Sequence, residues 1–210
     1  MNNVKEIRNI FIDKLQKKDF VNGTIEILNA NFVADEGIIF GTLNKKYAEN
    51  EHNWYLSQDL NLKSFNGIVP KIWENICDKN KNVNSNYGYL VFSDENFNQY
   101  KAVIDELKNN IFSRRAIIIY TRPKIHKDAI KNGMNDFICT NTVQYLYRNN
   151  CLNAIVNMRS NDAIYGYKYD FLWQKYVLNR ICEDLRIDSG IIYWNVGSFH
   201  IYEKHYYLIK

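Results

Sequence analysis

The chain has 210 residues, enough for one domain that buries roughly 70% of its unfolded surface. Charged residues make up 24% and apolar residues 46%, the balance of a soluble globular protein, with 16 tyrosines and only 2 prolines. A net charge of +4 without a lysine or arginine run argues against a nucleic-acid surface and suits a phosphorylated small ligand.

The N-terminus, MNNVKEIRNIF, lacks the apolar core of a signal peptide, and no run is long enough to span a bilayer, so no membrane partner is expected. Residues 3–18 carry Val4, Ile7, Ile10, Phe11 and Leu15 at helical spacing. Thr24–Val33 and Ile38–Thr42 read as strands joined by the turn around Asp35-Glu36-Gly37. Lys71–Asp78 and Phe97–Leu107 read as helices, and Tyr100, Val103, Ile104 and Leu107 share one face of the second. Arg115–Thr121 is a β-branched strand. Thr142–Tyr147 and Leu152–Met158 form a hairpin around Asn149-Asn150, because asparagine tolerates the left-handed turn conformation. A helix over Phe171–Leu185 and strands over Ile191–Val196 and Phe199–Tyr202 complete the order. No repeat, low-complexity tract or linker interrupts it. The pattern is α/β in the α+β sense, a mostly antiparallel or mixed sheet under several helices.

The four cysteines, Cys77, Cys139, Cys151 and Cys182, make no C-x-x-C pair and no His/Cys cluster of zinc spacing. No metal is expected, and free thiols in a reducing cytoplasm are. Cys77 and Cys182 lie within helices and read as small core residues. Cys139 stands beside Thr140, Asn141 and Thr142, which do not look like core, so a nucleophile is open there. Arg114 and Arg115 open a strand, where neighbours point to opposite faces, so a shared ligand needs an irregular end or an interface. Arg159-Ser160 offers a fork of donors and a hydroxyl to a phosphate, or an ion pair to an acid. Asp170 precedes Phe171–Leu185 and suits its N-cap, a role worth roughly 0.5–2 kcal/mol. His200 and Tyr202 share one strand face. These residues add up to a phosphate-and-sugar pocket with a candidate thiol.

The order SRRAIIIYTRP, DFICTNTVQYL, NMRSNDAIYG and GSFHIY resembles the thymidylate synthase superfamily. TIEILNANFVADEGIIFGTLN, EHNWYL, PKIWENI and NSNYGY fall in the same order, so the resemblance covers nearly the whole chain. CTNTVQYL, NMRSNDAIYG and WQKYVL are most similar to the branch that hydroxymethylates deoxycytidylate, known from T-even phages. The resemblance implies one synthase-like α/β domain over residues 1–210, in a homodimer whose sheets pack back to back. It implies a reaction in which 5,10-methylenetetrahydrofolate supplies a one-carbon unit to C5 of dCMP and water completes the hydroxymethyl group. Cys139 then matches the nucleophile that adds to C6. Arg159 and Ser160 match phosphate ligands, and Arg114 and Arg115 match the pair that reaches the partner's phosphate. His200 and Tyr202 match the sugar 3′-hydroxyl site, and Tyr87 matches a tyrosine beside the reacting base. Trp73, Asp162 and Gly166 match folate contacts, and Glu51 matches the acid that positions water.

Thymidylate synthases carry asparagine where this chain has Asp170. Uracil presents an N3–H donor and an O4 acceptor, which an amide meets. Cytosine presents the reverse, which a protonated carboxyl meets with O–H to N3 and C=O to the amine. Asp170 therefore reads as the selector of cytosine, provided its pKa is raised. Histidine stands in the synthases where Thr140 is here. The segment DFVNGTIEI shortens the family's phosphate loop, leaving Lys17 or Lys18 nearby, and the chain ends soon after the sugar-binding strand, where relatives carry a closing segment over folate. A dUMP or CMP enzyme of the same fold, or a non-catalytic nucleotide-binding homologue, is the alternative reading.

Overall fold

The computed structural model describes residues 1–209. A two-residue strand β1 (Asn2–Asn3) leads into α1 (Val4–Gln16). Asn3 caps that helix through Glu6, with the reciprocal bond closing a capping box. Val4, Ile7 and Phe11 are buried one turn apart, as the spacing predicts. Strand β2 (Thr24–Val33) follows, then α2 (Lys45–Ser57), α3 (Lys71–Ile76), α4 (Tyr87–Phe92) and α5 (Gln99–Asn109). Tyr100, Val103, Ile104 and Leu107 are all buried on α5. Strand β3 (Ile117–Ile119), the short α6 (Ile125–Asp128), the hairpin β4 (Thr140–Arg148) and β5 (Cys151–Asp162), α7 (Gly166–Leu185) and β6 (Asp188–Tyr202) follow, and a short 3-10 helix (Glu203–Leu208) comes after β6. Asn149 and Asn150 both take positive φ in the hairpin turn.

The six strands form one mixed sheet in the order β1-β2-β6-β5-β4-β3. β5 and β6 are parallel, with α7 as the crossover, and β1 is parallel to β2. The remaining neighbours are antiparallel. Helices α1 and α7 bury their apolar stripes against one sheet face, where Phe11, Phe32, Tyr167, Trp194 and Phe199 interlock edge-on and stacked. The opposite face is half-buried. A polar ladder crosses it: Asn31 donates to Asn195, Asn195 to Asn157 (3.1 Å) and Asn157 to Thr142 (3.3 Å).

Three expectations fail, each for a readable reason. Residues 38–42 are not a strand, because Arg8 takes the carbonyls of Ile38 and Ile39 at 2.6 Å with its guanidinium. The two C-terminal strands are one. Along β6 the buried positions run Ile192, Trp194, Val196 and then Phe199, Ile201, so the alternation changes phase between Val196 and Phe199. The same change falls near Arg159 on β5 and between Thr140 and Val143 on β4. A continuous strand that switches face looks like two strands in sequence. Third, α7 begins at Gly166, not Phe171, so Asp170 is the fifth helical residue and does not cap the helix.

Candidate active site

The phase change is where the candidate residues gather. The segment before β4 is pinned by Asp136, whose carboxylate accepts from the backbone of Asn84 (2.6 Å) and from Ser85 (backbone 2.8 Å, hydroxyl 2.6 Å). Three residues on, Cys139 sits half-buried at the edge of the core. The Arg159 guanidinium from β5 closes over the segment, donating to Phe137 O (2.5 Å) and Ile138 O (3.1 Å) and reaching Cys139 Sγ at 3.5 Å. Among the described residues, Arg159 has no carboxylate within ion-pair distance, so the ion-pair alternative is not what the fold selects. Burial pushes the Cys139 thiol up to about 11. Arg159 opposes that shift, and the charges of Asp170 and Asp136 add to it.

Thr140 was expected outside the core and is fully buried. Its hydroxyl donates to Tyr87 Oη at 2.9 Å. Tyr87 in turn stacks on Tyr55 at 5.4 Å and meets Tyr120 edge-on at 5.1 Å. Its own pKa is raised by burial and by the charges of Asp170 and Cys139, so all three share one low-dielectric space.

Asp170 lies in that space. Side chains lean toward a helix N-terminus, so its carboxyl points back to the first turn of α7. There Asn161 Nδ2, from the end of β5, donates to Asp170 Oδ2 at 2.7 Å. Gly166 makes the approach possible: a Cβ on it would lie 2.8 Å from Asn161 Nδ2. Burial, the Glu51 charge and, less, the Asp162 charge together raise the Asp170 pKa to about 8 against the lowering effect of the Asn161 bond. The carboxyl is therefore protonated at neutral pH.

Glu51 is buried on α2. The Tyr47 hydroxyl donates to it, and Trp73 Nε1 donates to Tyr47 Oη at 3.2 Å. Burial lifts Glu51 to about 7 against those hydrogen bonds. A small cleft lined by Glu51, His52, Tyr55, Tyr169, Leu172 and Trp173 opens beside it. Asp162 accepts from the Ile164 backbone at 2.8 Å, and Gly166 starts α7 just beyond. Trp73, Asp162 and Gly166 thus border the two buried carboxyls.

At the other end, Ser160 pairs with Ser198 in the parallel ladder and Asp162 with His200. The His200 and Tyr202 rings meet edge-on at 4.9 Å, as their alternation requires. Tyr202 feels the charges of Asp162, Cys139 and Arg159, which places it on the Cys139 side of the site. Arg114 and Arg115 stand apart. Both are exposed beside edge strand β3, Arg115 pairs with Glu106 at 3.1 Å, and neither contacts the Cys139 cluster. Lys17 pairs with Asp13 at 2.8 Å. No group of three or more His, Cys, Asp or Glu side chains among the described residues could hold a metal ion, and no helix among them is long and apolar enough to cross a membrane. All four cysteines are free.

Sequence reasoning missed Asn161, Tyr47 and Asp136. Asn161 lies between two recognised positions in RSND, and Tyr47 lies one helical turn before Glu51, so spacing held a signal for both. Asp136 acts through a partner 51 residues away, which no local pattern reveals.

The arrangement joins a thiol beside a guanidinium to two raised-pKa carboxyls, a set suited to nucleophilic addition with acid–base assistance. The thymidylate synthase family model matches residues 40–210. The chain is 47% identical to the deoxycytidylate 5-hydroxymethyltransferase of Enterobacteria phage T4, over 98% of this chain and 89% of that one. The phage T2 protein of the same name gives the same values. The thymidylate synthase of Francisella tularensis subsp. holarctica is 25% identical over 72% of this chain and 59% of its own. The solved structure of thermostable thymidylate synthase A from Bacillus subtilis matches at TM-score 0.73 with 19% identity, covering 96% of this chain and 80% of that chain, a likeness of fold.

Proposed function

Because the chain belongs to the thymidylate synthase family, we propose that it is a deoxycytidylate 5-hydroxymethyltransferase, acting as a single synthase-like domain. The observation that carries the reading is Asp170. It is a carboxyl with pKa raised to about 8, in electrostatic reach of the Cys139 thiol. A neutral carboxyl donates O–H to cytosine N3 and accepts from the exocyclic amine. An ionised carboxylate has no proton to donate, and an amide makes both bonds only with its nitrogen turned to N3 and its oxygen to the amine, the reverse of its setting on uracil.

In this reading the Cys139 sulfur, as thiolate, forms a bond to C6 of the base, and the C5–C6 π electrons become nucleophilic at C5. 5,10-Methylenetetrahydrofolate supplies the one-carbon unit that C5 takes up. Glu51 and Trp73, joined through the Tyr47 hydroxyl, border the place of its ring system in this reading. Glu51 holds the water that adds to the new C5 methylene, and its pKa near 7 lets it take a proton from that water. Loss of the C5 proton with departure of tetrahydrofolate gives that methylene, and once water has added to it the electron pair returned to C5 expels the thiolate from C6 and restores the ring. Arg159 and Ser160 bind the 5′-phosphate, Arg159 keeping the thiol segment in place through Phe137 O and Ile138 O. His200 and Tyr202 hold the sugar 3′-hydroxyl, and Tyr87 borders the base. Asp162 and Gly166 border the folate side.

The partner is a second copy of the chain, packed through the half-buried sheet face with its Asn31–Asn195–Asn157–Thr142 ladder. Arg114 and Arg115, exposed and apart from their own cluster, serve the partner's phosphate. The reaction belongs in a reducing cytoplasm, in keeping with four free thiols.

The test is incubation with dCMP, tetrahydrofolate and formaldehyde, read by mass spectrometry. A product heavier than dCMP by one CH2O is expected. A folded dimer that yields none, or that consumes dUMP in preference, overturns the reading.

A further inference from the structure

Asp170 has two oxygens, and base recognition needs the proton on one of them only. Asn161 is buried, and its Nδ2 donates to Asp170 Oδ2 at 2.7 Å. An oxygen that accepts a short N–H bond behaves as the carbonyl of the acid, so the proton goes to the other oxygen. Gly166 is the third member of this arrangement, since a methyl group there would press on the Asn161 amide. The Asn161 Oδ1 atom is buried and has no partner among the described residues. An exocyclic amine carries two N–H groups, and a buried acceptor is a place for the second.

We infer that Asn161 is a positioning and specificity-determining residue: its amide N–H commits Asp170 Oδ2 as acceptor and leaves Oδ1 to carry the proton offered to cytosine N3. Its own carbonyl oxygen takes the second proton of the 4-amino group. A 4-keto oxygen in place of the amine then faces acceptors on both Asn161 and Asp170, and the N3–H of such a base faces the Oδ1 proton. The inference deepens the proposed function and rests on it.

The groups whose charges meet Asp170 are Glu51 and Tyr55 from α2, Tyr87 from α4, Tyr120 after β3, Cys139 before β4 and Asp162 from β5. None of them is cationic. Asn161 is thus a neutral donor that favours the ionised carboxylate, and losing it raises the Asp170 pKa.

The test compares wild type, Asn161→Ala, Asn161→Ser and Asp170→Asn for dCMP and dUMP turnover across pH, with melting curves for each. Asn161→Ala is expected to lose about tenfold of the dCMP-over-dUMP ratio in kcat/KM, the worth of one buried hydrogen bond. The alkaline limb of its dCMP profile should move upward. Asn161→Ser, which keeps a shorter donor, should fall between, and it decides by the same criteria if the alanine variant does not fold. A merely structural asparagine would lower activity without moving either the ratio or the limb. If Asp170→Asn reverses base preference while both Asn161 variants keep the wild-type ratio and limb, the inference fails and the function stands. If wild type does not prefer dCMP, the function itself fails, and the inference with it.

Discussion

Arg159 Nη2 lies 3.5 Å from Cys139 Sγ, and the same guanidinium holds the carbonyls of the two residues preceding the cysteine. One side chain thus sets both the position of the thiol and part of its acidity. Arg159→Ala should push the thiol further up and slow alkylation of Cys139 by iodoacetamide several-fold at mildly alkaline pH. Arg159→Lys should recover the charge but not the fork, and so only part of the rate. An unchanged alkylation rate in Arg159→Ala would mean the guanidinium does not act on the sulfur.

Cys139→Ala removes the attacking atom and little packing. Release of tritium from C5-labelled dCMP should disappear, while dCMP binding by calorimetry persists and the melting temperature moves by only a few degrees. Residual tritium release would reassign the nucleophile.

Asp170 also makes a stability prediction. Its folded pKa is raised, to about 8, above the ordinary carboxylate value. Its contribution to stability is therefore complete below the unfolded pKa near 4 and is lost as pH rises toward 8. Glu51, raised to about 7, acts with the same sign. Wild type should melt at progressively lower temperature from mildly acidic pH to pH 8. Asp170→Asn should melt higher than wild type at the alkaline end, with a shallower slope that Glu51 still supplies. The same variant should lose dCMP turnover, so stability and base choice pull in opposite directions. Parallel melting profiles for the two proteins would show that Asp170 does not titrate in this range.

Tyr47→Phe deletes the hydroxyl that donates to Glu51. That bond lowers the Glu51 pKa, so the variant raises it and narrows the range in which Glu51 is ionised. The acid limb of the turnover profile should shift upward in pH, with kcat reduced more than dCMP affinity. A profile that does not move would place Tyr47 outside the proton path.

Gly88 sits in α4 where a Cβ would fall 1.7 Å from the carbonyl oxygen of Tyr55 on α2. Backbone on both sides leaves no room to yield. Gly88→Ala should cost more than about 3 kcal/mol, beyond the usual range of overpacking, and lower the melting temperature by roughly 6 °C or more. Because Tyr55 stacks on Tyr87, activity should fall with stability. A variant that melts like wild type would mean that α2 and α4 are not packed this closely.

Amphipathic spacing announced α1, α5 and the greater part of α7, and Asn149-Asn150 announced the hairpin, since these depend on neighbours a few residues away. Sequence reading went wrong where a distant side chain intervened. Arg8 took the carbonyls of residues 38 and 39 and denied them to a strand. The face change near Gly197 disguised one strand as two. The candidate residues themselves were legible as a set because the motifs that carry them resemble a known order. The contacts that join them, Arg159 to Cys139 and Asn161 to Asp170, were not.

The amino-acid sequence by itself determined the alternation of elements, the free thiols and the presence of an acid at position 170, where a related pocket has an amide. Only the tertiary structure decided what that acid is. Position 170 reads as a cap while the helix is thought to begin at Phe171. Once α7 starts at Gly166, the carboxyl turns inward beneath Asn161, in the field of Glu51 and away from water. Protonation at neutral pH is a property of that enclosure, because a carboxyl keeps its proton when solvent is removed and negative charge gathers around it, and neither condition is written in local sequence.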